Sequence, residues 1–258
     1  MAAVSRALIV LLVLVLAAGC GNGDESETTQ TETTTTSVES ARIRVYFLRD
    51  GKVWPVAREV GDVLFDDIAL DQLLAGPNED ETEIGLETVV PEGIEADVTV
   101  ADGVATVELE GATDLRVEAL AQIVYTATAL PLVDSVTIQG NVPGGAFAAV
   151  SYTRADSEEQ APSVLVESPL PFEEVTSPIT AVGTANTFEA NFQYELLDAD
   201  GEIVDENFVT ATSGTGTRGT FEFTTAEFDD VAALVVFESS AEDGSRVHEV
   251  EIPLDPAP

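Results

Sequence analysis

The sequence predicts an α+β domain followed by an all-β sandwich, and three observations carry that expectation. Between residues 43 and 155, segments with strand and helix periodicity are mixed, the pattern of a two-layer α+β fold. From residue 164 the helical period stops, and about seven short strands follow with turn signals roughly every 8–12 residues, the pattern of a sandwich. Apolar residues make up 45% of the 258 residues, which supports two separate cores and excludes wholesale disorder.

The N-terminus reads as a leader. Ala7 to Ala18 is an apolar run of twelve residues, shorter than the roughly 20 that a bilayer span needs. Arg6 precedes it and small residues follow, the layout of a secretory signal. Leu16-Ala17-Ala18-Gly19-Cys20 resembles the end of a bacterial lipoprotein signal, in which small residues precede a cysteine that receives lipid. It departs from that pattern in placing Ala17 where leucine is usual, with Leu16 one position earlier. The resemblance implies a signal peptide over 1–20 and lipidation at Cys20. The protein would then be extracytoplasmic, lipid-anchored to the outer face of the cytoplasmic membrane. The alternative is an ordinary cleaved signal with a chance cysteine. Cys20 is the single cysteine of the chain, and an unpaired thiol in an exported protein invites mispairing that lipidation removes. Two acyl chains also anchor stably where one is marginal.

Residues 21–42 are expected to be a disordered, Thr/Glu-rich tether, since the stretch 21–40 holds seven threonines, five acids and little to bury. Order is expected from Ile43. The run Ile43–Leu48, the turn Asp50-Gly51 and Val53–Val56 form a short hairpin. A helix over 62–75 places Leu64, Ile68, Leu70, Leu73 and Leu74 near one face, and Gly76-Pro77 stops it. A second hairpin joins Ala96–Ala101 to Val104–Leu109 through Asp102-Gly103. A second helix covers 114–130, with Leu115, Ala119, Ile123, Ala127 and Leu130 spaced for burial. Val133–Gly140 and Phe147–Tyr152 close this domain, 43–155.

VYFLRDG (45–51), Pro55-Val56 with Arg58, LLAGP (73–77), GLETVVPEG (85–93), VADGVATVEL (100–109), QIVYTATALPLVDSV (122–136) and Ile138-Gln139-Gly140 follow one another in this stretch. Through them it resembles the GerMN domain, named from a spore-germination protein. The resemblance implies an extracytoplasmic domain used in assembly rather than catalysis.

Residues 156–163 read as a polar, proline-ended linker. The strands expected beyond it are Val164–Glu167, Ile179–Thr184, Glu189–Leu197, Ile203–Ala211, Gly219–Thr224, Val231–Glu238 and Arg246–Ile252. Alternation over 188–196 turns Phe188, Ala190, Phe192, Tyr194 and Leu196 to one side. Ser168-Pro169, Ser177-Pro178, VGTANTFEANFQYEL (182–196), DADG (198–201) and TATSGTGTRGTFEF (210–223) mark segment 164–254. Through them it resembles the immunoglobulin-like domain of bacterial spore germination proteins.

Charge bounds the partners. The formal net charge is −38, from 48 acidic and 10 basic residues. It is spread, with 23 acids against 7 bases over 41–162 and 20 against 2 over 163–258. Such a field repels nucleic acid and anionic headgroups, so no nucleic acid is expected as a partner. Solubility, or a saline medium that screens self-repulsion, accounts for it; a basic partner or divalent cations are the sharper alternatives.

No catalytic, cofactor or metal residue is expected. GTGTRG (214–219) matches the dinucleotide fingerprint in letters, but a strand, not a helix, follows it. Asp198-Ala199-Asp200-Gly201 begins like a calcium loop and reads as a hairpin turn. His248, the single histidine, offers no nucleophile–base constellation. Trp54 and Tyr125 read as core residues. Arg218 is expected to pair with a neighbouring acid, with a partner contact as the alternative. The functional expectation is a non-enzymatic, lipid-anchored scaffold that binds envelope proteins, tied by resemblance to sporulation or germination. A wall-polysaccharide or peptidoglycan binder would show an exposed aromatic cluster in a groove. A carboxylate-pair hydrolase would show two facing acids, one with its pKa raised by burial.

Overall fold

The computed structural model describes residues 41–61, 67–111, 115–142 and 145–256. Cys20, the leader and the tether over 21–40 lie outside the described residues, as do 62–66, with Leu64, and 112–114, with the expected start of the second helix.

The first domain begins with β1 (Ala41–Arg49) and β2 (Lys52–Val60), an antiparallel pair in register from Ala41↔Val60 to Arg49↔Lys52. Asp50 and Gly51 both have positive φ, +53° and +73°, as a tight two-residue hairpin of the right twist requires. The hairpin is longer than expected at both ends. Pro55 does not shorten it, because β2 pairs with β1 alone among the described strands and an edge strand tolerates a missing donor.

Helix α1 (Ile68–Leu74) buries Ala69, Leu70 and Leu73, and Gly76 at φ +82° ends it as expected. A short helix that the periodicity did not suggest, α2 (Glu79–Glu83), follows. It is held by a capping box, with the Glu81 amide donating to Asn78 Oδ1 at 2.9 Å and the Asn78 amide to Glu81 Oε2 at 2.8 Å. The Asn-x-x-Glu signature is visible in the sequence. Buried Glu81 also accepts Arg58 Nη2 at 2.6 Å, which ties α2 to β2.

The second hairpin, β3 (Glu95–Ala101) and β4 (Val104–Glu110), forms around Asp102-Gly103 as expected. Helix α3 (Val117–Ala127) then carries the chain back so that β5 (Ser135–Val142) lies parallel to β4, and β6 (Gly145–Tyr152) completes the sheet β3-β4-β5-β6. The helix is shorter than 114–130 and buried on more than one face. Beside Ala119, Ile123 and Ala127 it also buries Ala121, Val124 and Tyr125, because it lies between the four-stranded sheet on one side and β1 with the inter-domain segment on the other.

Arg154–Gln160 forms a 3₁₀ segment that overlaps the polar linker expected over 156–163, with the Thr153 amide and hydroxyl both donating to Asp156 Oδ2. Eight strands follow: β7 (Val164–Ser168), β8 (Glu173–Val175), β9 (Thr180–Ala185), β10 (Asn191–Leu197), β11 (Ile203–Thr210), β12 (Gly219–Thr224), β13 (Ala233–Ser239) and β14 (Arg246–Pro256). They make two sheets, β12-β9-β7 and β11-β10-β13-β14-β8. β8 was not expected. It is three residues long and pairs parallel with the end of β14, so no local alternation marks it.

Between the sheets Phe192 meets Phe221 edge-on at 4.8 Å and Tyr194 stacks on Phe223 at 4.4 Å. Leu196, Leu234, Val236 and Ile252 complete this core. Phe188 and Ala190 depart from the expected alternation, since residues 188–190 turn before β10 starts and put Phe188 in solvent. Gly183 permits the close approach of β9 to its neighbour, because a Cβ there would sit 2.1 Å from the Leu165 carbonyl oxygen and 2.8 Å from the Phe221 ring. Gly183→Ala is therefore expected to destabilise the chain by about 1–3 kcal/mol, read as a lower urea midpoint with an unchanged slope.

Candidate functional site

The described part of a chain this acidic holds nine basic residues, and six of them meet where the two domains join. Arg42, Arg44, Arg49 and Lys52 reach across from the first hairpin, Arg154 from the 3₁₀ segment, and Arg218 from the second domain. The floor of the junction is apolar: Tyr46, Leu48, Val53, Ala121 and Tyr125 of the first domain pack with Ala161 and Leu165. Burying those side chains fixes the distance between the domains, and the polar groups above them fix the angle.

Glu167 on β7 is the first polar hub. Arg154 Nη1 donates to its Oε1 at 2.8 Å, Tyr46 Oη donates to the same oxygen, and Arg44 Nη1 lies 3.6 Å away. Arg154 is held in turn by its Nε donating to Thr128 Oγ1 at 2.8 Å, and its guanidinium lies over the rings of Tyr125 at 4.8 Å and Tyr46 at 5.3 Å. Burial pushes the Glu167 carboxyl up. The charge of Arg154, with hydrogen bonds from Tyr46 and Arg154, outweighs burial and holds it below the ordinary carboxylate value. The same burial, with the Glu167 charge beside it, pushes the Tyr46 hydroxyl up.

Arg218 is the second hub. Its Nε donates to Glu158 Oε2 at 2.9 Å, Nη2 to Glu158 Oε1 at 3.0 Å and to the Pro162 carbonyl at 2.8 Å, and Nη1 to the Thr184 carbonyl at 3.2 Å. With its side chain only 14% exposed, it clamps the inter-domain segment and pairs with a neighbouring acid, Glu158. Glu158 also accepts Asn186 Nδ2 at 2.9 Å. Burial works against the Glu158 charge, and the hydrogen bonds from Arg218 and Asn186 outweigh it, so its carboxyl is held low.

GTGTRG is the loop that positions this clamp. Gly219 opens β12, a strand, where a dinucleotide fingerprint would open a helix. The Gly216 amide donates to Asn186 Oδ1 at 2.8 Å and the Thr215 amide to the Thr187 carbonyl at 2.9 Å, which locks the loop onto the turn before β10. Asp198-Ala199-Asp200-Gly201 is the turn between β10 and β11, with Asp198 Oδ1 accepting the amides of Asp200 and Glu202. Its carboxylate is spent on the backbone.

Two clefts flank the junction. One of about 500 Å³ is lined by Arg42, Arg44, Leu130, Pro131, Glu167 and Glu173. The other, about 330 Å³, has Arg49, Lys52, Trp54, Pro162, His248 and Glu251 on its walls. Trp54 is buried beneath the Arg49 guanidinium, 4.9 Å away, and Tyr125 is buried in the junction floor, so both are core residues. His248 Nδ1 meets Glu238 Oε1 at 2.8 Å. Asp71 has its carboxyl raised by burial and by Asp67 and Asp97, but it stands on the exposed side of α1, away from both clefts. Among the described residues no group of three His, Cys, Asp or Glu is placed to hold a metal ion.

The hubs make two predictions. A depressed carboxyl stabilises fully above the unfolded value of about 4.3 and loses that contribution as pH falls through its lower folded value. Glu167→Gln should thus cost on the order of 3 kcal/mol at neutral pH, and the gap to wild type should close as urea midpoints are followed below about pH 4. Arg218→Ala should leave both domains folded by circular dichroism and open residues 154–163 to limited proteolysis.

Comparison with known proteins agrees with this division. Residues 44–141 match the model of a family described as sporulation and spore germination. Residues 163–245 match that of the immunoglobulin-like domain of bacterial spore germination. A solved structure, the tandem GerMN domains of the sporulation protein GerM from Bacillus subtilis, is similar at 22% identity with a TM-score of 0.33. The match covers 45% of this chain and 43% of that one, so this chain spans less than half the length of that relative. The curated proteins give no match. The chain thus joins a domain of the sporulation and spore germination family to an immunoglobulin-like domain of the bacterial spore germination family, in that order.

Proposed function

We propose that this germination-associated chain is a non-enzymatic, lipid-anchored scaffold of the cell envelope, attached through Cys20 and presenting its two domains as one rigid surface to other envelope proteins. The observation that supports the reading is the junction. The domains form one compact unit, and six of the nine described cations of a strongly acidic chain are spent at their seam on Glu167, Glu158, Glu173 and backbone carbonyls. A hinged enzyme needs a seam that opens over its chemistry, whereas a scaffold needs fixed spacing between its surfaces. Neither matched family is described by a reaction, which favours the same side.

The test has two readouts in native cells. Metabolic labelling with a tagged fatty acid should mark the wild-type chain and not Cys20→Ala, and the variant should leave the membrane fraction. Crosslinking on intact membranes should recover defined envelope proteins with the wild type and fewer with the variant. Recovery of wall fragments without proteins would replace the scaffold reading with a wall-binding one, and an unlabelled wild type would remove the anchor.

A further inference from the structure

The turn ahead of β10 is where the chain departs furthest from its own pattern. Alternation directs Phe188 inward with Phe192 and Tyr194, yet it is 61% exposed, and Phe208 on β11 is 73% exposed. Four of the eight large apolar side chains exposed among the described residues, Phe188, Ile203, Val204 and Phe208, belong to this turn and to β11.

The turn is held in this shape. Glu189 and Ala190 have consecutive φ of +52° and +61°, a region that non-glycine residues seldom occupy. The Glu189 amide donates to Thr215 Oγ1 at 3.0 Å and the Ala211 amide to the Ala190 carbonyl at 2.8 Å. A Cβ on Gly214 would come within 2.5 Å of the Ala190 backbone, so the loop packs directly on the turn. Backbone strain enforced by its neighbours, around a side chain aimed at solvent, is a mark of recognition rather than of a free turn.

Phe188 and Phe208 line one notch of about 140 Å³, with Glu189, Gln193, Glu238 and Ser239 on its other walls. Glu238 Oε2 accepts the Phe188 amide at 3.0 Å, which fixes the acid beside the ring. Apolar rings with carboxylates at the rim suit one kind of side chain. The methylene stem of lysine or arginine packs on the rings, and its charge meets the aromatic faces and the acids. The notch is the size of a single side chain. Past Phe208 the exposed edge strand β11 continues through Glu206 to Val204, roughly 13 Å of acidic and apolar side chains, which calls for a chain segment rather than a free amine. A second copy of this chain does not suit the notch. Its formal charge of −38 repels the acidic rim.

We propose that the Phe188–Phe208 notch docks a lysine or arginine side chain of an extended basic segment in a partner protein. This deepens the scaffold reading and rests on it for its setting alone, since the binding itself needs no anchor. The test is calorimetric titration of the purified full chain in detergent with a short peptide alternating lysine and valine. The same peptide with glutamate in place of lysine, and soluble peptidoglycan fragments, serve as comparisons. The lysine peptide should bind, the glutamate peptide should not, and Phe188→Ser combined with Phe208→Ser should weaken binding about tenfold or more with net charge and melting curve unchanged. Equal binding to both chains would overturn the proposal, assigning the affinity to diffuse acidic charge, as would no binding to wild type. Peptidoglycan fragments that bind wild type and are lost with the double substitution would give the notch to wall glycan instead. If the peptide fails while crosslinking on membranes still recovers envelope proteins, this surface is wrong and the scaffold reading stands.

Discussion

Glu167 is the group on which the arrangement of this molecule depends. A carboxylate taken out of water is costly unless it is paired and hydrogen-bonded, and the partners of Glu167 come from two places in the chain, both outside its own domain. Arg44 and Tyr46 stand on the first hairpin, Arg154 follows β6, and the acid itself opens the second domain. Every one of these contacts to Glu167 crosses the seam, so none is kept in a chain whose domains move independently. The stability of that charge is therefore a property of the inter-domain angle.

The second hub works on the same principle from the other side. Arg218 has its donors directed at a carboxylate and two carbonyls whose positions are set by different segments, 158–162 and β9. A planar guanidinium satisfies such a set only in one geometry. Together with the apolar floor of Leu165 and Ala161 on Tyr46 and Tyr125, it turns a polar, proline-ended segment into a structural part. The rest of the chain can then be acidic without cost to this contact, because its scarce cations are placed where burial strengthens them.

The same economy shapes the second domain. The glycines of 214–219 allow the loop to lie against Asn186–Ala190, and that one contact serves two ends. It sets Arg218 toward the inter-domain segment and holds Phe188 out of the core. Two stretches that carry the immunoglobulin-like resemblance, 182–196 and 210–223, are thus the two halves of one packed feature.

The sequence by itself determined whatever rests on local period and turn chemistry. Both Asp-Gly hairpins, the Gly76-Pro77 stop, the burial of Ala119, Ile123 and Ala127, the change from mixed to all-β structure, and the GTGTRG strand connection follow from neighbours in the chain. The capping box at Asn78 and Glu81 was legible too, since its signal is four residues long. What the tertiary structure decided lies between residues far apart. β8 exists through pairing with the end of β14, about 80 residues later. The 154–160 segment is ordered by Glu167 and Arg218, and Phe188 leaves its alternation because Gly214 and Thr215 arrive beneath the turn. A period records which face a residue prefers, but it carries no information about which distant surface will come to meet it.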